Sequence, residues 1–411
     1  MAWSVYLFQT TTGQLGPRIE PSQLSWEIEI NGTENITMTL PKSEIPRFDP
    51  KTPYLDPWWG SVVLLWNNRP IVAGPIVTRP VEDFFTLRVN AKGIRSLLAR
   101  RQAVQDMTNW SRLSDKDYRS TWSTDGTETG KNQKVPDPAK SKFREKTYAS
   151  LARMAVEIST KKLGGELPIV YPVPITKFTD IKKQPDGVVI KEHEKPHYRR
   201  WAGYQGMSVN VDAVLTELSE LDNGPDILFV PKLNGSRIYW EMWTGKNDSF
   251  PEFIGDNEPL WDTTSHNGTI SNLTLQLSGS KQTNRAFAIG GGSGGAQPMS
   301  MAQDTSKFSS GWPLLESFET YTHFTGNSSS TIKSKANELL RADDKPRHQL
   351  TGTVRVEGPP EVGTFWPGHY GQLITQGWYG LSNGTVRAKI LSISGDLTQD
   401  MEIGFQETEV L

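Results

Sequence analysis

The chain is 411 residues long, 36% hydrophobic and 22% charged, with a formal net charge of −2. That length exceeds what one core organises, so two to four domains are expected, and the near-neutral balance offers no positive field for a phosphate backbone, which argues against nucleic-acid recognition. With no cysteine, disulfides and thiolate metal or redox centres are excluded, and without an apolar run of about 18 residues no stable membrane insertion is expected.

The start MAWSVYLFQTTTGQ has neither a basic n-region nor a small-residue cleavage site, so synthesis and folding in the cytosol are expected. From Trp26 the run SWEIEI alternates apolar and acidic side chains, Asn31-Gly32 follows, and Ile36, Met38 and Leu40 alternate with threonines. That is the period-two pattern of a hairpin around a tight turn. The runs SVVLLW and PIVAGPIV flank Asn67-Asn68-Arg69 in the same way, and FFTLRVN follows an expected break at Arg79-Pro80. Four or five strands in so short a stretch predict a small barrel or sandwich. Trp58-Trp59, just before one of these strands, is expected to cap its core, with a subunit contact as the other reading.

Ile94, Leu97 and Leu98 then fall at helical spacing, as do Leu151, Ala155 and Ile158. Between them SRLSDKDYRSTWSTDGTETGKNQKVPDPAKSKF is too polar to bury much apolar area and is expected to be an exposed insertion. After a Pro-rich, strand-poor region from Pro168 to Arg200, Val214, Leu215, Leu218 and Leu221 share a helical face that Asn223-Gly224-Pro225 ends. DILFVPKL and SRIYWEMW form another predicted hairpin across Asn234-Gly235, with Ile238, Trp240 and Met242 on one side. TISNLTLQLS and NRAFAIGGG follow, then a helix through Ile332, Ala336, Leu339 and Leu340, and the tail from Gln349 is again strands. The class expected is β-dominated α+β.

No constellation carries catalysis. His193-Glu194-Lys195-Pro196-His197 has the letters of a zinc-protease helix, but Pro196 breaks the turn that would align both imidazoles. Gly290 to Gly295 has dinucleotide-binding spacing, yet Gln297-Pro298-Met299-Ser300 cannot start the helix a pyrophosphate needs, so a hinge or β turn is expected. The letters Gly-x-Ser-x-Gly occur at Gly291 to Gly295 and at Gly380 to Gly384, but no helix pattern follows either, so neither reads as a nucleophile elbow. No catalytic, cofactor-binding or metal-ligating residue is therefore assigned, and the protein is read as a non-enzyme. Of the 14 tryptophans, Trp26, Trp66 and Trp240 lie in strand patterns and are expected in the core, while Trp312 and Trp366 fall in Gly/Pro loops. Trp110 and Trp122 are candidates for stacking on sugars.

Three segments resemble the minor tail proteins of actinobacterial siphophages, which belong to the tail-hub or baseplate-hub family of long-tailed bacteriophages. SVVLLWNNRPIVAGPIV, with its Gly74-Pro75 pair, looks like that family's first strand, turn and strand. AVLTELSELDNGPDILFVPKL with IYWEMWTG is similar to its helix, Gly-Pro turn and hairpin, and NRAFAIGGGSG, GWPLLE and HYGQLITQGWYGLSNGTVRAKILSIS look like its closing part. The long loop after Met107 and the stretch from Pro168 to Arg200 have no counterpart. The resemblance implies two related small β-barrels with helical and loop insertions: a first barrel over 1–95, an insertion domain over 96–207, helix and hairpins with the Gly-rich turn over 208–345, and strands completing the second barrel over 346–411. It also implies a homotrimeric ring that joins hexameric tail rings to the threefold tip of the virion. The implied partners are further copies, the distal tail protein, the tape measure protein and other tail-tip proteins, with host cell-wall glycans beside them. Other readings are a carbohydrate-binding receptor module of the tail tip and a distal tail ring protein.

Overall fold

The computed structural model describes residues 3–47, 52–103, 148–172, 210–220, 224–245, 258–264, 268–291, 297–325, 329–344 and 347–410. It is β-dominated α+β. The N-terminal strands are β1 (Trp3–Gln9), β2 (Leu15–Ile19), β3 (Gln23–Glu29) and β4 (Asn35–Pro41), then a 3-10 turn over Lys42–Arg47, β5 (Gly60–Trp66), β6 (Arg69–Glu82) and β7 (Thr86–Lys92). Next come α1 (Arg95–Leu98), α2 (Tyr148–Thr160), a short β8 (Ile169–Val170), α3 (Val211–Ser219), and the hairpin of β9 (Asp226–Asn234) and β10 (Arg237–Gly245). The rest is β11 (Leu260–Asp262), β12 (Ile270–Ser278), β13 (Arg285–Gly291), β14 (Met299–Gln303), α4 (Thr305–Ser309), β15 (Glu316–Thr325) and α5 (Ser329–Asp343). It ends with β16 (Arg347–Arg355), β17 (Tyr370–Thr375), β18 (Gly384–Gly395) and β19 (Asp400–Val410).

The turns are where the local chemistry puts them. Asn31 closes the β3–β4 hairpin at φ 58°, and Asn67 and Asn68 close β5–β6 at φ 48° and 63°. Two successive left-handed residues between paired Trp66 and Arg69 make the tight turn whose twist matches the strands. Asn68→Ala is expected to cost about 1 kcal/mol in a urea titration, because alanine loses the local hydrogen bonding that lets asparagine hold φ > 0, whereas Asn68→Gly should be neutral. A cost at glycine equal to that at alanine would mean that the side chain, not the backbone, matters there.

Thirteen strands share one sheet in the order β12-β16-β19-β18-β3-β4-β7-β6-β5-β1-β2, with β17 on β18 and β11 on β17. Two separate closed barrels are therefore not what the described pairings show. β18 runs antiparallel to β3, from Ser392 opposite Glu29 to Gly395 opposite Trp26, and so fuses the N- and C-terminal strands. Pairing these edges in cis satisfies backbone groups that barrel closure would otherwise have to satisfy. The Arg79-Pro80 break is also corrected: β6 continues to Glu82, absorbing the prolines through register shifts between Ile76 and Val81. Gly74 sits where a Cβ would come within 1.9 Å of the Lys92 carbonyl oxygen, so only glycine lets β6 pass that close.

The unbroken apolar run of β5 now has a reason. Val62, Leu64 and Trp66 face a core shared with Trp26, Trp243, Trp261 and Trp366. Val63 and Leu65 face a second core under α2 and α3, with Leu151, Ala155, Leu215, Leu218 and Trp240. A strand covered on both sides has no polar face to alternate with. β9 repeats this, with Leu228 and Val230 in the first core and Ile227 and Phe229 in the second. Trp26, Trp66 and Trp240 are buried as their patterns predict; Trp366 is buried too, and Trp312 is exposed.

Candidate assembly surfaces

A buried charged junction fixes the helical layer to the sheet. Asn210 caps α3 by accepting the Ala213 N–H at 3.0 Å, which places Asp212 in the first turn, pointing at Arg95 of α1. Arg95 Nε lies 2.6 Å from Asp212 Oδ1, Nη2 donates to Thr216 Oγ1 at 3.0 Å, and Nη1 donates to the Gly32 carbonyl at 3.3 Å and to the Asn31 carbonyl. The Asn31 side chain accepts the Ile227 N–H at 2.7 Å and donates to Asp226 Oδ1 at 3.3 Å, and Lys389 Nζ stands 2.6 Å from Asp226 Oδ2. Burial raises the Asp226 carboxyl above the usual range, against the pull of Lys389 and Asn31.

Glu34 and His369 are both enclosed by the fold. Burial pushes Glu34 up to about 7, opposed by its backbone hydrogen bonding and by Arg95. His369 is pulled down to about 4 by burial, with Nδ1 accepting the Trp366 N–H at 3.3 Å and the ring stacked 6.0 Å from Trp243. It is neutral at ordinary pH. Among the described residues no group of three or more His, Cys, Asp or Glu is placed to hold a metal, and no helix is long and apolar enough to cross a membrane. A groove of about 700 Å³ lined by Trp26, Glu27, Asn35, Asp396 and Glu402 lies open on the sheet.

Two surfaces expose apolar groups on rigid supports. The first is the tip of the β6–β7 hairpin. Asp83 Oδ1 accepts the N–H groups of Phe85 and Thr86, both at 2.7 Å, Oδ2 accepts the Thr86 hydroxyl at 2.8 Å, and Lys42 pairs with Glu82 at 2.9 Å. Those hydrogen bonds hold the Asp83 carboxyl below its ordinary value. They fix a tip on which Phe84 and Phe85 are 83% and 74% exposed, their rings edge to face at 5.0 Å. The second is the three-stranded sheet β14-β13-β15, in which β13 pairs antiparallel with β14 and parallel with β15. One face, with Ala288 and Ala302, receives Ile332 and Ala336 of α5. On the other, Phe287 lies between Met301 and Phe318, and Ile289 between Met299 and Thr320.

Trp58 and Trp59 are half-buried, Trp58 under the Arg100 guanidinium at 5.7 Å and Trp59 edge-on to Tyr54 at 5.4 Å. Gly290 and Gly291 end β13, and the chain returns as antiparallel β14, so a β arm and not a phosphate-binding helix follows the glycines. His193, Glu194, Pro196, His197, Trp110 and Trp122 lie outside the described residues. The exposed phenylalanines of the hairpin tip and the outer face of β14 and β15 are absent from the sequence expectations. The signal for the latter is the small–large alternation Ala286, Phe287, Ala288, Ile289, which a helix packed on one side requires.

No protein-family model matches the chain, and no curated protein matches it. Solved structures do. A tail protein from Neisseria meningitidis MC58 superposes with a TM-score of 0.54 at 11% identity, over 99% of this chain and 97% of that one. The 43 kDa tail protein of prophage MuSo2 from Shewanella oneidensis gives 0.52 at 10% identity, over 98% of each chain. The whole chain thus shares the fold of these two tail proteins.

Proposed function

We propose that this chain is a structural, non-enzymatic component of a bacteriophage tail that assembles as a ring of copies, the hub at the tail tip. The observation that carries this reading is likeness of fold to two tail proteins over nearly the whole of each aligned chain. The cysteine-free core and the enclosed state of Glu34 and His369 suit a scaffold. On this reading the strands β1 to β7 and the strands from β11, β12 and β16 to β19 serve as two barrel-like modules. The domain limits are 1–95, 96–207, 208–345 and 346–411. The ring is a homotrimer in an actinobacterial siphophage, meeting the distal tail protein and the tape measure protein.

Light scattering across a concentration series, with negative-stain images of the same sample, tests this. Three times the chain mass in a threefold particle is the expected result. A sixfold ring would favour the distal tail ring protein, and a monomer at every concentration would overturn a self-assembling ring.

A further inference from the structure

The sheet β14-β13-β15 is built with its bulk on the side away from its helix. Toward α5 it presents Ala286, Ala288, Ala302, Ser300 and Ser317, with Glu319 of β15 in the same register, and the alanines let Ile332 and Ala336 come close. Away from it the paired residues form three cross-strand rows. Met301-Phe287-Phe318 is apolar, Met299-Ile289-Thr320 nearly so, and Gln303-Arg285-Glu316 is polar. Phe318 is 75%, Met299 66% and Met301 45% exposed. A free-standing helix-on-sheet layer would place those large groups inward, so their outward placement calls for a second cover.

We propose that this face is a contact between two copies of the chain. The inference rests on the ring-forming reading above and names the surface through which the copies meet. Size supports it. With about 200 Å² for a large side chain, Met299, Met301 and Phe318 together with half-buried Phe287 and Ile289 leave roughly 450 Å² open. That is the size of patch that serves binding on other proteins, and more than half of the ~800 Å² per partner of a standard interface, the polar row supplying the rest. Charge supports a copy over a foreign partner of one sign. The rim pairs Arg285 with Glu316 at 3.1 Å, and Asp304 lies near Lys307, so the rim carries both signs and meets a different face of a neighbouring copy, as a ring requires, without net repulsion. Both outer strands are also paired on one side only among the described residues, which leaves main-chain groups for a neighbouring copy.

The test uses the full chain and its lack of cysteine. Sedimentation equilibrium compares the wild type, Met301→Glu/Phe318→Glu, and Tyr379→Ser as a control at an exposed aromatic outside both candidate surfaces. The face variant is expected to raise the dissociation constant between copies roughly 30-fold with unchanged far-UV circular dichroism, the control to leave it unchanged. If the double variant fails to fold, Phe318→Ser alone should still weaken association about tenfold, since an exposed side chain costs the monomer little. In a Phe318→Cys variant the single thiol should react quickly in dilute monomer and slowly in the oligomer. A face variant that assembles like the wild type overturns this contact and leaves the ring reading standing. A thiol protected even in the monomer means that the same chain covers the face, which also overturns it. A wild type that stays monomeric overturns both.

Discussion

Asp212→Ala is expected to lower stability by about 3–5 kcal/mol, read as an earlier urea midpoint by tryptophan fluorescence. The reason is the partner left behind. The Arg95 side chain is 3% exposed, against 27% for Asp212, so the guanidinium has surrendered its hydration and the carboxylate has given up only part. Its remaining bonds to Thr216, Gly32 and Asn31 are to neutral acceptors and satisfy N–H groups without neutralising charge. Loss of an acidic group from the first turn of α3 adds at most about 1 kcal/mol through the helix dipole. Arg95→Met combined with Asp212→Ala should recover more than half of the loss, because the buried charge goes too. The penalty should also be smaller above pH 7, where Glu34 can ionise beside Arg95. A cost below about 1 kcal/mol, or a double variant no better than the single, would sink the claim that the junction is held by charge pairing.

How far the sequence discloses this fold depends on distance along the chain. The hairpins at Asn31, Asn67-Asn68 and Gly235 are local objects: apolar strand runs, alternating at the first and unbroken on one side of the other two, around residues with positive φ, and the structure places all three where the pattern does. α2, α3 and α5 are equally legible, since each buries one stripe. What the residues do not announce is which strand finds which. Nothing local to Ile393 specifies Ile28 as its partner, and that pairing joins into one sheet what the expectation of two barrels keeps apart. The run SVVLLW announces burial, but not that alternate residues would serve two different cores. Arg95 and Asp212 read from sequence as ordinary surface charges on short helices; only the fold brings them together.

The two surfaces differ in the same sense. Phe84 and Phe85 look like the beginning of a strand, and they are exposed because Asp83 captures the amides behind them and turns the chain before any core is reached. The face of β13 is readable as alternation of small and large residues, yet alternation does not say which side is covered. A helix at Ile332 and Ala336 chose the alanine side. The exposed apolar groups are thus of two kinds, a bulky outer face on the small sheet and a rigid two-phenylalanine tip on the large one.

The contribution of Glu34 to stability should fall as pH rises from 5 to 8, and Glu34→Gln should remove it. Glu34 is 4% exposed, and a Cβ on Gly93 would come within 1.5 Å of its Oε2, so the carboxyl is sealed against the backbone. Burial lifts it from 4.5 to about 7. The folded state therefore holds its proton at a pH where the unfolded chain has released it. This stabilisation is complete below the unfolded value, is lost progressively as pH rises through the folded value, and is absent above. The loss across that window is about 2–3 kcal/mol at most, since each tenfold change in proton affinity is worth about 1.4 kcal/mol. Other groups also titrate: Asp226, raised by burial, contributes with the same sign, and His369, held down, contributes with the opposite sign by losing stability as pH falls toward 4. The decisive quantity is therefore the difference between wild type and Glu34→Gln at each pH, in which those contributions cancel. The carboxamide keeps the shape and carries no charge, so the two proteins should be alike near pH 5 and the glutamine variant the more stable at pH 8. Parallel profiles would mean that Arg95 holds Glu34 ionised throughout, and that the junction contains two carboxylates around one guanidinium instead of one.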